Sequence, residues 1–175
     1  MKKVLLSLAI VTIATLSANA QSDSKSSDSQ FKLDVGVKGG IPLGNFGDVS
    51  SFGIGGFLKA AIPASDNIDL SLTAGYTSFS GKTVTILGYS SKYPTEGIVD
   101  FIAGGSYKLD GGFHIDAGIG YATFSPGGGG GFAYRAGVGY KITSDFDVTA
   151  NYNGISATGG SSSYIGIGVS YAIIK

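Results

Sequence analysis

Apolar side chains alternate with charged residues and glycine along most of the chain, and this alternation limits what the chain can fold into. In the stretch FKLDVGVKGG (31–40), the odd positions from 31 to 37 are apolar, whereas the even positions carry lysine, aspartate or glycine. A repeat of two residues places alternate side chains on opposite faces of a β-strand, whereas an amphipathic helix repeats every 3.6 residues. The stretch therefore predicts a strand with one apolar face.

The same repeat recurs farther along the chain, so the sequence predicts eight strands. The later segments are residues 52–62, 68–78, 97–109, 113–123, 132–142, 146–152 and 164–173. Short polar turns alternate with longer connections; the turns are residues 63–67, 110–112 and 143–145, and the longer connections are 42–51, 80–96, 125–131 and 154–163. Short turns of this composition join neighbouring antiparallel strands. The chain is therefore predicted to be all-β, an eight-stranded antiparallel up-and-down β-barrel.

Glycine on the second face of the strands favours one kind of barrel over another. A soluble barrel turns its apolar face inward, whereas a membrane barrel turns it toward lipid. The non-apolar face carries Gly36, Gly40, Gly53, Gly55, Gly75, Gly104, Gly118, Gly120, Gly137, Gly139, Gly166 and Gly168. Glycine weakens a water-exposed strand, but it suits the crowded interior of eight strands. The sequence favours a transmembrane barrel, with a soluble periplasmic barrel as the less favoured alternative.

Two bands of aromatic residues on the apolar face support the membrane interpretation. Aromatic girdles of this kind lie at both interfaces of membrane barrels. The distance from Phe113 to Tyr121 is about 26 Å along a strand, or about 20 Å across a bilayer at the usual tilt. The predicted girdle consists of Phe31, Tyr76, Tyr107, Phe113, Tyr121, Tyr134, Tyr140, Phe146, Tyr152 and Tyr171. Phe57, Phe79 and Phe124 fall on the other face and are predicted to plug the interior.

The glycine-bearing face also carries charged residues, which predicts a charge network inside the barrel. Its predicted members are Asp34, Lys38, Lys59, Asp69, Asp100, Asp116, Arg135, Lys141 and Asp147. Lys32, Lys108 and His114 share this face. Buried charges need partners, so one interpretation is a paired network that fills the interior, and the other is the lining of a narrow solute path. In the middle of the network, Asp116 is predicted to pair with Arg135, with Asp100 nearby.

The first thirty residues are predicted to be separate from the barrel. Lys2 and Lys3, an apolar stretch at 4–16 and the small-residue pattern at 18–20 are typical of a cleaved secretory signal, residues 1–20. Residues 21–30, QSDSKSSDSQ, lack apolar anchors and are predicted to be a disordered periplasmic lead-in. The chain has no cysteine, so it forms no disulfide and carries no lipid on a cysteine.

Composition and motifs argue against nucleic-acid binding, catalysis and metal or cofactor binding. Without Lys2 and Lys3, ten basic and twelve acidic residues remain. The chain therefore lacks the excess of basic residues that is typical of nucleic-acid-binding proteins. The glycine run at 127–131 is not followed by the Lys-Ser/Thr pair of a phosphate loop and is predicted to be an external loop. His114 is the single histidine and follows the short turn at 110–112, away from any rim nucleophile. We therefore predict a protein that is not an enzyme and has no cofactor or metal.

The alternation, the aromatic bands, the turn–loop asymmetry and the final strand YIGIGVSYAIIK (164–175) resemble the small outer-membrane β-barrels of the OmpA/OmpX type, within the outer-membrane β-barrel domain family. The resemblance covers residues 31–175. It implies an integral, multi-pass barrel in the outer membrane of a Gram-negative bacterium, with outer-membrane lipid and the assembly machinery as partners. Such barrels usually end in an aromatic residue that this machinery reads, whereas this chain ends in Lys175; Tyr171 and Ile173 keep the alternating pattern.

The function predicted from the sequence is a monomeric, non-enzymatic membrane scaffold. Loops 43–51 and 80–96 are candidates for adhesion or partner binding, and solvated loops without a dedicated ligand are the competing interpretation. The alternative function is a narrow, porin-like channel for small solutes. The sequence identifies no extracellular ligand.

Overall fold

The computed structural model of the protein describes residues 31–86, 89–127, 129–157 and 159–175. The predicted signal peptide (1–20) and lead-in (21–30) lie outside these residues and stay predictions. Within the described residues, no helix is long and apolar enough to cross a membrane.

Eight antiparallel strands close into a barrel, which confirms the predicted fold. The strands of the chain are β1 (Lys32–Leu43), β2 (Ser50–Pro63), β3 (Ile68–Gly81), β4 (Thr83–Ile86), β5 (Tyr89–Lys92), β6 (Glu96–Lys108), β7 (Phe113–Ser125), β8 (Gly130–Lys141), β9 (Phe146–Ala157) and β10 (Gly160–Ile174). Around the barrel the order is β1-β10-β9-β8-β7-β6-β3-β2, and β4 and β5 form a separate two-stranded sheet. Closure pairs β1 with β10, so every barrel strand has two neighbours and no edge is left open.

Two of the longer connections contain regular structure that the sequence analysis assigned to loops. The connection between β1 and β2 contains a short helix, α1 (Gly44–Val49), which begins at Gly44 with a left-handed φ of 54°. The connection between β3 and β6 contains the β4–β5 hairpin. Its first strand reads Thr-Val-Thr-Ile, and β-branched residues favour extended backbone. We call this end of the barrel the loop end and the opposite end, with its short turns, the turn end.

The apolar face of the strands is the outer surface, as the glycine pattern predicted. Its large side chains are exposed, and the exposed fraction reaches 67% at Val37 and Ile54. Others on this surface include Leu58, Leu70, Phe101, Ile115, Ile119, Val138, Ile167 and Val169. An aliphatic outer surface with a polar interior is the arrangement of a barrel in lipid.

Glycines on the inner face make room for large side chains that point into the barrel. A Cβ atom at Gly53 would lie 2.5 Å from the Phe79 ring, and one at Gly40 would lie 2.8 Å from the same ring. A Cβ atom at Gly139 would lie 2.2 Å from the His114 imidazole. Contacts this short are not tolerated, so each of these positions excludes a side chain. The glycines therefore allow eight strands to enclose aromatic rings without widening the barrel.

Glycines on the outer face have a different role, because girdle tyrosines lie over them. Gly154 is covered by the ring of Tyr134, its neighbour across the β8–β9 ladder, and a Cβ atom there would lie 2.2 Å from the ring. Gly97 is covered in the same way by Tyr76 of β3. Rings of this kind shield a strand glycine that has no side chain of its own to pack.

Candidate functional site: the interior of the barrel

An aromatic plug fills the interior at the loop end. It consists of Phe46, Phe79, Ile98 and Tyr164, and Phe79 and Ile98 have exposed fractions of 0%. The Phe79 ring meets Phe46 and Tyr164 edge to face, at centroid distances of 5.0 Å and 5.2 Å. Edge-to-face pairs are the favoured aromatic geometry. The rings therefore close this end with packed hydrocarbon.

One ring of the plug comes from α1 and not from a strand. Phe46 is the buried residue of α1, and the helix is attached to the β3–β6 connection by Lys82. The Lys82 Nζ donates to the carbonyl of Gly47, and its backbone N–H donates to Val49 at 2.9 Å. Two hydrogen bonds from Lys82 thus attach the last turn of the helix to the β3–β6 connection. The sequence analysis named Phe79 as a plug residue but missed Phe46, because a loop has no repeat from which a facing direction follows.

Below the plug lies a central cluster of Lys38, Asp100 and Arg135. One carboxylate serves both cations: Lys38 Nζ lies 2.7 Å from Asp100 Oδ1, and Arg135 Nη2 lies 3.0 Å from Asp100 Oδ2. Arg135 Nε also donates to Asn153 Oδ1 at 2.8 Å. The side chains of Lys38 and Asp100 are 9% and 5% exposed. The cluster is therefore a buried arrangement in which two positive charges share one negative charge.

The predicted pairing of Asp116 with Arg135 is wrong. In the β7–β8 register, Arg135 faces Gly118 and Asp116 faces Gly137, so the two residues are offset by one inward position along the barrel. The Arg135 side chain reaches Asp100 instead. The offset between neighbouring strands depends on how they pair, and the residues of either strand alone do not reveal it.

Asp116 belongs to a second group, the His114 cluster, formed with Lys59, His114 and Asp147. His114 Nε2 lies 3.1 Å from Asp116 Oδ2 and 3.4 Å from Asp147 Oδ2, and Lys59 Nζ lies 3.6 Å from Asp116 Oδ1. The Ser106 hydroxyl donates to Asp116. His114 Nδ1 is buried and has no hydrogen-bond partner among the described residues.

The remaining charged residues lie toward the turn end. Lys108 Nζ lies 2.7 Å from Asp69 Oδ1. Asp34 pairs in register with Lys59 across β1–β2, and Lys141 pairs with Asp147 across β8–β9. Among the described residues, neither Asp34 nor Lys141 has an ion-pair partner within 4.0 Å.

A cavity of about 60 Å³ separates the central cluster from the His114 cluster. Charged side chains from both clusters line it, together with Phe57, Asn151 and Asn153. Two acceptor atoms of its lining, Asp147 Oδ1 and Asn151 Oδ1, are buried without a partner among the described residues. A cavity of this size with unpartnered polar groups in its wall has room for water or a small polar solute.

The predicted girdle residues lie on the outer surface. Phe31, Tyr76, Tyr107, Phe113, Tyr121, Tyr134, Tyr140, Phe146, Tyr152 and Tyr171 are all exposed there. Several form ring pairs between neighbouring strands: Phe113–Tyr140 at 4.8 Å and Phe146–Tyr171 at 5.0 Å toward the turn end, and Tyr134–Tyr152 at 6.2 Å toward the loop end. Cross-strand aromatic pairs stabilise the sheet and define its register.

The last strand is attached to the turn between β8 and β9. The Lys175 ammonium contacts the Asp145 carboxylate, and the Ala172 N–H donates to the Asp145 carbonyl at 2.9 Å. The Lys175 hydrogen bond, with one from Ser144, lowers the pKa of the exposed Asp145 carboxyl. Lys175 thus holds the end of β10 against its neighbour.

Among the described residues of the interior, the His114 imidazole does not contact a serine hydroxyl. His114 contacts carboxylates, and the nearby Ser106 hydroxyl bonds to Asp116 and not to the imidazole. A serine nucleophile needs a base within hydrogen-bond reach. In the part of the chain that the structure describes, no group of three or more His, Cys, Asp or Glu residues is suited to hold a metal ion.

Several solved membrane barrels are similar to this fold. The attachment invasion locus protein Ail of Yersinia pestis is 14% identical with a TM-score of 0.55, and the match covers 84% of this chain and all (100%) of Ail. The N-terminal barrel domain of Pseudomonas aeruginosa OprF is 15% identical with a TM-score of 0.56, covering 83% of this chain and 99% of OprF. Neisserial surface protein A is 15% identical with a TM-score of 0.51, covering 81% and 96%. At these identities the likeness concerns the fold.

The family assignment comes from the sequence of the whole barrel. No curated protein matches the chain. The outer membrane protein β-barrel domain family matches residues 7–172, which is nearly the whole sequence. With the closed eight-stranded barrel and its apolar outer surface, this match shows that the chain belongs to the outer membrane protein β-barrel domain family.

Proposed function

We propose that the protein is a non-conducting, non-enzymatic scaffold of the outer membrane that presents its loop end to the outside of the cell. The observation that carries the proposal is the aromatic plug, in which Phe79 and Ile98 are fully buried. A hydrophobic constriction excludes water, and ions do not pass where water is absent. We further propose that the barrel is monomeric and that the assembly machinery reads Tyr171 and Ile173 on its last strand.

The charge clusters below the plug support the same conclusion. Asp100 is in contact with both Lys38 and Arg135, and Asp116 contacts Lys59 and His114. A solute that passes through the interior has to separate these buried pairs, and unpaired buried charge is costly. The clusters therefore fill and rigidify the barrel.

A narrow channel is the second candidate function, and the cavity is the observation that favours it. The cavity provides a space of about 60 Å³ within the interior, with charged side chains and apolar surface in its wall. For a channel, this space has to connect to the loop end. The plug residues Phe79 and Tyr164 stand between them.

Single-channel recording in a planar bilayer distinguishes the two functions. We expect the refolded mature protein to insert without discrete conductance steps, with its fold checked by circular dichroism and by the heat-modifiable gel mobility of folded barrels. Steps whose ion selectivity changes in Arg135→Gln would establish the channel and contradict the scaffold. Asp110→Asn serves as the control, because Asp110 lies in an exposed turn and not on the inner face.

We also propose that the β4–β5 hairpin is the main contact surface for an extracellular partner. Tyr89 is 85% exposed at the hairpin, and Val84 and Tyr93 are exposed beside it. Exposed tyrosines are frequent in binding surfaces because they combine a large apolar area with a hydroxyl group. The structure of Ail, a barrel of similar fold, was solved in complex with the heparin analogue sucrose octasulfate.

Removal of residues 83–92 tests this role. We expect the shortened protein to fold, because β4 and β5 pair only with each other and lie outside the closed sheet. Fluorescent proteoliposomes that carry it are expected to lose adhesion to cultured epithelial cells. Liposomes that carry a variant shortened within residues 126–129, outside the barrel strands, are expected to keep it. Equal adhesion of both variants and the full-length protein would assign no role to the hairpin.

A further inference from the structure

We infer that the cavity is a binding site for a small zwitterionic solute, of the size and charge of a short α-amino acid. The solute carboxylate would face the central cluster, and its ammonium group would face Asn151 and Asp116. Three observations lead to this assignment: the unequal charge at the two ends of the cavity, the unpartnered acceptors in its wall and its access from one side. The inference does not depend on whether the barrel conducts.

The end of the cavity near the plug is rich in cationic donors. Lys38 and Arg135 both line it, and both share Asp100 as their carboxylate partner. Lys38 makes one side-chain hydrogen bond among the described residues, and an ammonium group has three N–H donors. Arg135 uses Nε and Nη2, and a guanidinium group has five donors. This end therefore has spare donors and one more positive than negative charge, which suits a carboxylate.

The opposite end of the cavity is rich in acceptors. Asn151 Oδ1 is buried and has no partner among the described residues, and the same holds for Asp147 Oδ1, two inward positions farther toward the turn end of β9. Asp116 lines the same end, where Lys59 lies beside it and the His114 imidazole contacts both aspartates. Buried acceptors without a donor are destabilising, so a ligand that donates hydrogen bonds is favoured here. An ammonium group supplies three such donors and a positive charge.

The spacing of the two ends fits a molecule with both groups. Asn153, the partner of Arg135, and Asn151 are alternate residues of β9, so their levels differ by about 6–7 Å along the strand. One water needs about 10–15 Å³ of such a cavity, so 60 Å³ corresponds to about four to six waters. The smallest amino acid, with five non-hydrogen atoms, is of similar size.

The site is reached from the turn end. The side chain of Lys108, toward the turn end, is 30% exposed, whereas Phe79 and Ile98 of the plug are 0% exposed. Water therefore reaches the cavity along the charged half of the interior, and the plug blocks the other direction. In the proposed orientation, the solute enters from the periplasm.

Three matched probes test the assignment on the refolded mature barrel in non-ionic detergent micelles. Glycine carries both charged groups, acetate only the carboxylate and methylammonium only the ammonium group. Binding is measured by saturation-transfer NMR with each probe at increasing concentration. We expect glycine to bind at least about tenfold more tightly than either partial probe, because each charged end contributes its own hydrogen bonds.

Variants locate the binding. Asn151→Leu removes an acceptor and Arg135→Met removes donors, and each is expected to weaken glycine binding about tenfold. Lys108→Met is the control, since it removes an inner lysine outside the cavity lining and should leave glycine binding unchanged. Circular dichroism and gel mobility show that each variant is folded. If Arg135→Met does not fold, the test relies on Asn151→Leu, because that substitution removes no charge.

Each other result overturns the proposal. Acetate that binds as tightly as glycine would indicate a simple anion site, and methylammonium that does so would indicate a cation site. No saturation transfer with any probe would indicate a cavity that holds only water. An equal loss of binding in Lys108→Met would place glycine elsewhere or reflect a general loosening of the barrel.

Discussion

Replacement of Asp100 by alanine is expected to lower the free energy of unfolding by about 3–5 kcal/mol, which is the cost of leaving a buried charge without its partner. Asp100 is the shared carboxylate of Lys38 and Arg135, and its side chain is 5% exposed. The measurement is a urea titration in detergent micelles. Because the chain has no tryptophan, circular dichroism and gel mobility follow the transition.

Two further variants separate charge from packing in this experiment. Asp110→Ala removes an exposed aspartate from a turn and is expected to leave the unfolding midpoint unchanged. The triple variant Lys38→Met, Asp100→Ala, Arg135→Met removes the whole cluster and should recover most of the loss, because an apolar replacement of a buried ion network is often neutral. An unchanged midpoint in Asp100→Ala would show that the carboxylate is not required by the two cations.

Replacement of Phe79 by alanine is expected to cost about 3–5 kcal/mol and to open the loop end of the interior. The ring is fully buried and packs between Phe46 and Tyr164, above the inner glycines at 40 and 53. Since those glycines have no side chain to move inward, the space left by the ring cannot be refilled. The urea titration used for Asp100 measures the stability.

A phenylalanine on the outer surface provides the control for the stability measurement, and single-channel conductance tests whether the plug blocks ions. Phe101 is half exposed on the lipid-facing surface, so Phe101→Ala is expected to cost clearly less than Phe79→Ala. In a planar bilayer, Phe46→Ala combined with Phe79→Ala is expected to show discrete conductance steps where the unchanged protein shows none. If the double variant is folded and silent, the plug is not the barrier to ions, and the central cluster would take that role.

The strands and their faces were predictable because they depend on local repeats. The residues 31–40 already show which side chains share a face, and glycine on one face indicates a narrow interior. Tyr164 is a plug residue that the same repeat could have revealed. It alternates in phase with Gly166 and Gly168 of β10, and it lies inside the barrel as they do.

Contacts between strands were not predictable in the same way. The partner of Arg135 depends on the register of β7 against β8 and on the reach of a long side chain across the interior. The Tyr134 ring covers Gly154 because the two residues are neighbours on paired strands, which also depends on register. Register is a property of paired strands and not of either strand alone. A predicted register that is wrong by one inward position assigns Arg135 to the wrong carboxylate.

The sequence by itself determined that this chain forms eight strands, that its apolar face lies outside and that glycine, charge and a few phenylalanines lie within. Only the tertiary structure decided that the loop end is closed. Phe46 enters the plug from α1, and the sequence of that connection has no two-residue repeat that predicts where its side chains point. The tertiary structure also decided which charges are paired and where a cavity remains between them. A two-residue repeat defines the direction of a side chain, whereas its height in the barrel depends on how eight strands are staggered at closure.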